Sequence, residues 1–151
     1  MRSRDTWFIE APPERVWRVL ADWGRYPEWM PDVAWVRMVR GPSSTTSPVG
    51  MELEVRTRLF GLVPAVTDRM RIEVWEPPVL LGIHHRGVVR GTAEWRLQPV
   101  GGGTRFLWRE DVRLPIPLFG GVALAAYWPV QRWLFRRSLR ALARLAESSP
   151  A

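Results

Sequence analysis

Two histidines stand side by side, His84 and His85, in a stretch whose apolar residues recur every second position, and a single acid, Glu110, shares the alternation of Phe106, Trp108 and Val112. These are the side chains whose types and positions could do chemistry. Adjacent residues on a strand point to opposite faces, so His84 and His85 cannot both ligate one metal through that strand. With no cysteine and no metal-ligand spacing, no metal site is expected. Alternation puts His85 with Leu81 and Ile83, and Glu110 with Phe106, Trp108 and Val112. A carboxylate on an apolar face is costly unless hydrogen-bonded, paired or wetted. An arginine partner or a β-bulge would resolve the conflict structurally. The functional alternative is that His85 and Glu110 supply polarity to an apolar pocket, where a burial-raised pKa would let Glu110 give or take a proton. Serines cluster at 43, 44, 47 and the C-terminus, in loops or frayed ends, and no Ser-His-acid arrangement presents itself. Gly101-Gly102-Gly103 precedes no helix and reads as a turn, not a phosphate loop.

The elements that must position these groups follow from periodicity. Arg4–Glu10 has a short strand pattern, with Trp7 and Ile9 on one face. Pro12, Pro13 and Glu14 open a helix carrying Val16, Val19, Leu20 and Trp23, which Gly24 is expected to end. Arg25 to Pro31 has room for one further turn. From Val33 the period becomes two. Strands are expected over Val33–Val39, over 51–59, around Met70-Ile72-Val74, around Leu81-Ile83-His85, around Ala93-Trp95-Leu97, and over 106–112. The polar run 41–48 is a loop, and Phe60-Gly61-Leu62-Val63-Pro64 an apolar hairpin tip.

The chain ends in one long amphipathic helix over 118–147, about 45 Å at 1.5 Å per residue. Its apolar stripe is Ala123, Tyr127, Val130, Leu134, Ser138, Ala141 and Leu145, with Arg132 and Arg136 opposite, Arg140 and Arg144 on a flank, and Pro129 placing a kink. Leu114 to Val130 carries no charge, but its prolines and glycines favour burial over a membrane span.

Composition bounds the rest. The 151 residues are enough for one domain, 1–151, with a sizeable core. Net charge is +7, and every basic residue is arginine, as a GC-rich genome would give. The basic balance is therefore weak evidence for nucleic acid, and no nucleic-acid partner is expected. No signal peptide is evident, so a cytoplasmic bacterial protein is the expectation, as a monomer or homodimer, with peripheral membrane contact left open.

The run Ala11-Pro12-x-Glu14-x-Val16-Trp17-x-Val19-Leu20-Ala21-Asp22-Trp23-x-Arg25-Tyr26-Pro27-Glu28-Trp29 resembles the opening of the START-like superfamily, the polyketide cyclase/dehydrase and lipid-transport proteins also called SRPBCC domains. Val74-x-Glu76-Pro77-Pro78, Trp95-x-Leu97-x-Pro99 before Gly102-Gly103-Thr104-Arg105, and the amphipathic C-terminal helix extend the resemblance to essentially the whole chain. It implies an α+β helix-grip fold: a curved antiparallel sheet of about seven strands gripping the long C-terminal helix, with two short helices after the first strand. It also implies a deep cavity between sheet and helix. No cofactor is expected.

Inside that fold the expected ligand-binding residues are Met70, His85, Trp95, Trp108, Glu110, Ala123, Ala126 and Tyr127, with Phe60, Leu62 and Val63 as a cavity lip. His85, Glu110 and Tyr127 are the catalytic candidates. Three functions compete. One is a carrier of a hydrophobic small molecule (lipid-like, quinone or polycyclic aromatic). Another is a polyketide cyclase or aromatase, favoured if His85, Glu110 and Tyr127 converge. The third is a peripheral membrane quinone or lipid chaperone, favoured if the lip is exposed. Fold alone does not choose among them.

Overall fold

A computed structural model describes residues 2–59, 63–113 and 120–148, with side chains described for all of these except 59, 63–65 and 120–128. Along the chain run β1 (Arg2–Ile9), α1 (Pro13–Ala21), a 3-10 turn (Trp23–Arg25), α2 (Tyr26–Trp29), β2 (Val33–Arg40), β3 (Glu52–Leu59), β4 (Val63–Glu76), β5 (Leu80–Arg86), β6 (Arg90–Val100), β7 (Gly103–Arg113) and α3 (Gly120–Ser148). The strands form one antiparallel sheet in the order β1-β7-β6-β5-β4-β3-β2. From β2 to β7 each strand pairs with the next in sequence, and β1 returns to pair with β7. The result is the expected α+β helix-grip architecture.

Short connections set the register. Gly101 and Gly102, both at positive φ (55° and 84°), join Val100 to Gly103 as a two-residue hairpin. The ladder then runs unbroken from Val100↔Gly103 to Arg90↔Arg113. Leu97↔Phe106, Trp95↔Trp108 and Ala93↔Glu110 are therefore directly opposed on the inner face. Residues 60–62 of the expected hairpin tip lie outside the described residues, and so does the side chain of Val63.

Helices α1 and α2 close one end of the core. Helix α1 buries Val16, Trp17, Val19 and Leu20. It ends at Ala21, with Asp22 as its C-cap and the 3-10 turn following, so Gly24 is not its terminator. Tyr26 and Trp29 of α2 are buried, and the Tyr26 hydroxyl donates to the Leu20 carbonyl at 2.9 Å. That bond joins the α1 exit to α2.

Two expected faces are displaced. On β4 the pairing shifts between Ile72↔Ile83 and Val74↔Gly82, so the strand is irregular there. Trp75, not Val74, then shares the inner face with Ile72; it packs edge-on to Trp17 at 4.8 Å. Gly82 is required opposite, because a Cβ there would meet the Val74 side chain at 2.9 Å. On α3 the buried positions are Leu134, Ser138, Leu139, Leu142, Ala143 and Ala146, while Ala141 and Leu145 are half-buried at the edge. The helix is gripped on a stripe rotated toward Leu139 and Ala143, because it packs against α1 and α2 as well as β1 of the sheet.

The outer face of the sheet carries charge. Glu54 alternates as a solvent-facing residue but is only 9% exposed, enclosed by Arg37 (2.7 Å) and Arg69 (3.2 Å) from the flanking strands. The Arg37 hydrogen bond, with Arg69 helping, holds its carboxyl below the usual range.

Candidate functional site

Between the inner face and α3 lies a cavity of about 260 Å³, bounded by β3 to β7, α2 and the middle of α3. Its apolar walls include Met70, Ile83, Trp95, Trp108, Leu134 and Phe135. The aromatic wall is continuous. Trp29 meets Trp95 at 5.7 Å, Trp95 meets Trp108 at 5.2 Å, and Trp108 meets Phe135 of α3 at 4.6 Å. Interlocked rings of this kind resist collapse better than flexible aliphatic side chains.

All five expected ligand-binding residues with described side chains line this cavity: Met70, His85, Trp95, Trp108 and Glu110. The other three, Ala123, Ala126 and Tyr127, fall where side chains are outside the described residues, as do all three expected lip residues, Phe60, Leu62 and Val63. Convergence of Tyr127 with the other polar groups is therefore outside what is described.

Glu110 turns inward without a bulge, and among the described residues no arginine pairs with it. Its Oε1 accepts the Trp108 indole N–H at 2.9 Å. Burial pushes the carboxyl above its ordinary value; the Trp108 bond and the nearby His85 oppose the rise, while Asp32 and Asp5 add to it. A carboxyl so placed keeps its proton to a higher pH than an ordinary carboxylate, and when protonated it can donate a hydrogen bond or a proton.

His85 is held from behind. Its Nδ1 lies 2.8 Å from Oδ2 of Asp68, a residue only 4% exposed. The other carboxylate oxygen of Asp68 accepts the Val89 N–H at 3.3 Å. Gly87 is packed so closely over Asp68 that a Cβ there would collide with Oδ1. Asp68 thereby ties β4 to the β5–β6 turn and fixes the imidazole plane, leaving Nε2 as the ring nitrogen available to a guest. His84 points the other way, to Glu73 on the outer face at 3.2 Å.

Sequence reasoning missed three polar residues. Asp68 was within reach, since it alternates in phase with Met70 and Ile72. Asp32 also lines the cavity, and burial raises its pKa. It sits in the α2–β2 connection, where no periodicity points inward. Gln131 joins from α3, beside Leu134, Phe135 and Ser138. Among the described residues no group of three or more His, Cys, Asp or Glu is arranged to hold a metal ion.

Comparison with known proteins gives a coherent result. The family model for polyketide cyclase/dehydrase and lipid transport matches residues 2–147. Among solved structures, TTHA0849 from Thermus thermophilus is similar with a TM-score of 0.78 at 22% identity, over 99% of this chain and 100% of that one. The Zhui aromatase/cyclase from Streptomyces sp. R1128 is similar with a TM-score of 0.73 at 18% identity, over 97% and 93%. A START superfamily protein from Mycobacterium smegmatis gives 0.70 at 15%, over 97% and 94%. At these identities the likeness is one of fold. No curated protein matches the chain in sequence.

Proposed function

Because the chain belongs to the polyketide cyclase/dehydrase and lipid transport family, we propose that it binds one hydrophobic small molecule between the sheet and α3, a compact ring system carrying hydroxyl or carbonyl groups. The observation that carries this reading is the aromatic-walled cavity of about 260 Å³, apolar over most of its lining, into which a minority of polar side chains, among them Glu110, His85, Asp32, Thr57, Gln131 and Arg113, is admitted. Small-molecule sites have this composition: an apolar lining that supplies affinity and few polar groups that fix orientation. Indoles packed edge to face favour a flat guest over a flexible acyl chain, since a ring system loses less conformational freedom on binding. Glu110, when protonated, offers a donor to a carbonyl oxygen, and His85 Nε2 a partner to a hydroxyl. Calorimetric titration with 1,8-dihydroxyanthraquinone and with palmitate tests it. The expected result is 1:1 binding of the anthraquinone, at least tenfold tighter than palmitate. Tighter palmitate binding, or no binding of either, overturns it.

A second reading, a polyketide cyclase or aromatase acting on a chain held in the same space, draws on one specific observation: the buried Asp68 against His85 Nδ1 at 2.8 Å. An imidazole oriented by a carboxylate is equipped to take a proton from carbon next to a carbonyl, and a neutral carboxyl such as Glu110 to protonate a departing hydroxyl, which leaves as water. This reading expects His85→Gln and Glu110→Gln to abolish turnover of a poly-β-ketone thioester mimic while both variants still bind the anthraquinone. Turnover unchanged in both variants contradicts it.

A further inference from the structure

We propose that the solvent face of α3 is a docking surface for an anionic lipid bilayer. The first observation is where the charge sits. Residues 1–111 hold 16 arginines against 14 acids, nearly balanced. Helix α3, residues 120–148, holds five arginines against one acid, Glu147, whose Oε1 accepts the Glu10 N–H, so +4 of the chain's +7 lies on this one element. Codon bias explains why the basic residues are arginines; it does not explain their segregation from acids.

The second observation is geometric. Arg132, Arg136, Arg137, Arg140 and Arg144 are all exposed. At 3.6 residues per turn, Arg136, Arg137, Arg140 and Arg144 fall within an arc of about 100°, and Trp133 lies inside the same arc. Among the described residues none of these arginines pairs with a carboxylate. Two are instead near aromatic faces: Arg137 is 5.5 Å from the Trp133 ring and Arg140 is 6.0 Å from Trp7. A surface helix meant only for solubility ordinarily interleaves both signs of charge.

The third observation selects lipid as the occupant. Trp133 is 56% exposed, the most exposed large aromatic side chain on α3 among the described residues. An indole surrounded by arginines suits the headgroup level of a bilayer, where the ring partitions and the guanidiniums meet phosphates. The helix also separates two environments. Gln131, Leu134, Phe135 and Ser138 line the cavity from the opposite arc. Docked by its outer face, α3 would lie along the bilayer with the cavity directly behind it.

Each arginine near an anionic surface is worth roughly a fivefold gain in partitioning. Co-sedimentation with sucrose-loaded vesicles reads this directly, using phosphatidylcholine alone and a 3:1 mixture with phosphatidylglycerol, at 100 and 500 mM NaCl. The expected result is binding to the mixed vesicles at low salt, weaker by tenfold or more at high salt and on the neutral vesicles. The triple variant Arg136→Gln, Arg137→Gln, Arg144→Gln is expected to bind about a hundredfold more weakly, and Trp133→Ser severalfold. Both should keep the parent melting temperature and anthraquinone affinity, so failure here is distinguishable from failure of the cavity reading. Equal binding to neutral vesicles, a triple variant that binds like the parent, or displacement from mixed vesicles by single-stranded RNA at equal phosphate concentration overturns the proposal.

Discussion

Replacing Ala93 by leucine should stabilise the fold and destroy the site in the same step. Ala93 is 4% exposed, lines the cavity and stands directly opposite Glu110 in the β6–β7 ladder. Leucine adds three carbons at this wall, into a space of about 260 Å³. At about 0.8 kcal/mol per buried CH₂, filling that space contributes about 2 kcal/mol, provided that the void accepts the side chain in a relaxed rotamer. For a chain of this length that is a rise in Tm of about 4–8 °C. The same carbons occupy the volume beside Trp95 and Trp108, so anthraquinone affinity should fall at least tenfold. Thermal denaturation followed by circular dichroism and calorimetric titration on one preparation give both numbers. In a solid interior the leucine would overpack, costing about 1–3 kcal/mol, and a guest bound elsewhere would be unaffected. A lowered Tm together with unchanged affinity refutes the reasoning.

Other perturbations separate structure from site. Asp68→Ala leaves the His85 ring nitrogen and the Val89 N–H without their buried acceptor, and should cost about 2–5 kcal/mol in a denaturant melt. Burial raises the folded pKa of Glu110, so its contribution is fully present below the unfolded carboxylate value near pH 4 and is lost as pH rises through the folded value. Tm measured against pH should therefore fall through that window, and Glu110→Gln should flatten the fall; Asp32, raised in the same direction, keeps part of it. Gly91 sits at φ 139°, where a Cβ would strike the Asp111 carbonyl, so Gly91→Ala should cost at least about 2 kcal/mol by the same melt.

The inner faces of β5, β6 and β7 are readable because period-two alternation runs through them without interruption. His85, Trp95, Trp108 and Glu110 can be placed from their neighbours alone. The alternation fails where backbone irregularity re-phases it. No pattern announces the shift after Ile72, so alternation puts Trp75 outside with Arg71 and Glu73 and Val74 inside, the reverse of where they lie. Asp32 escapes because a connection between two elements has no period. The α3 stripe is displaced because the helix answers to more than one surface at once, the sheet and the pair α1 and α2, and an amphipathic pattern specifies a direction only relative to one. The excess of arginine along α3 is visible in the sequence as arginines on a helix, but its meaning depends on exposure, which only the packed fold determines.

The hollow behind α3 is best tested by native mass spectrometry of the purified chain, before and after incubation with 1,8-dihydroxyanthraquinone. The expected spectrum has a 1:1 adduct that survives gentle desolvation in the parent protein and is absent from Ala93→Leu. A spectrum with no adduct in the parent, or with equal adducts in both proteins, contradicts the account.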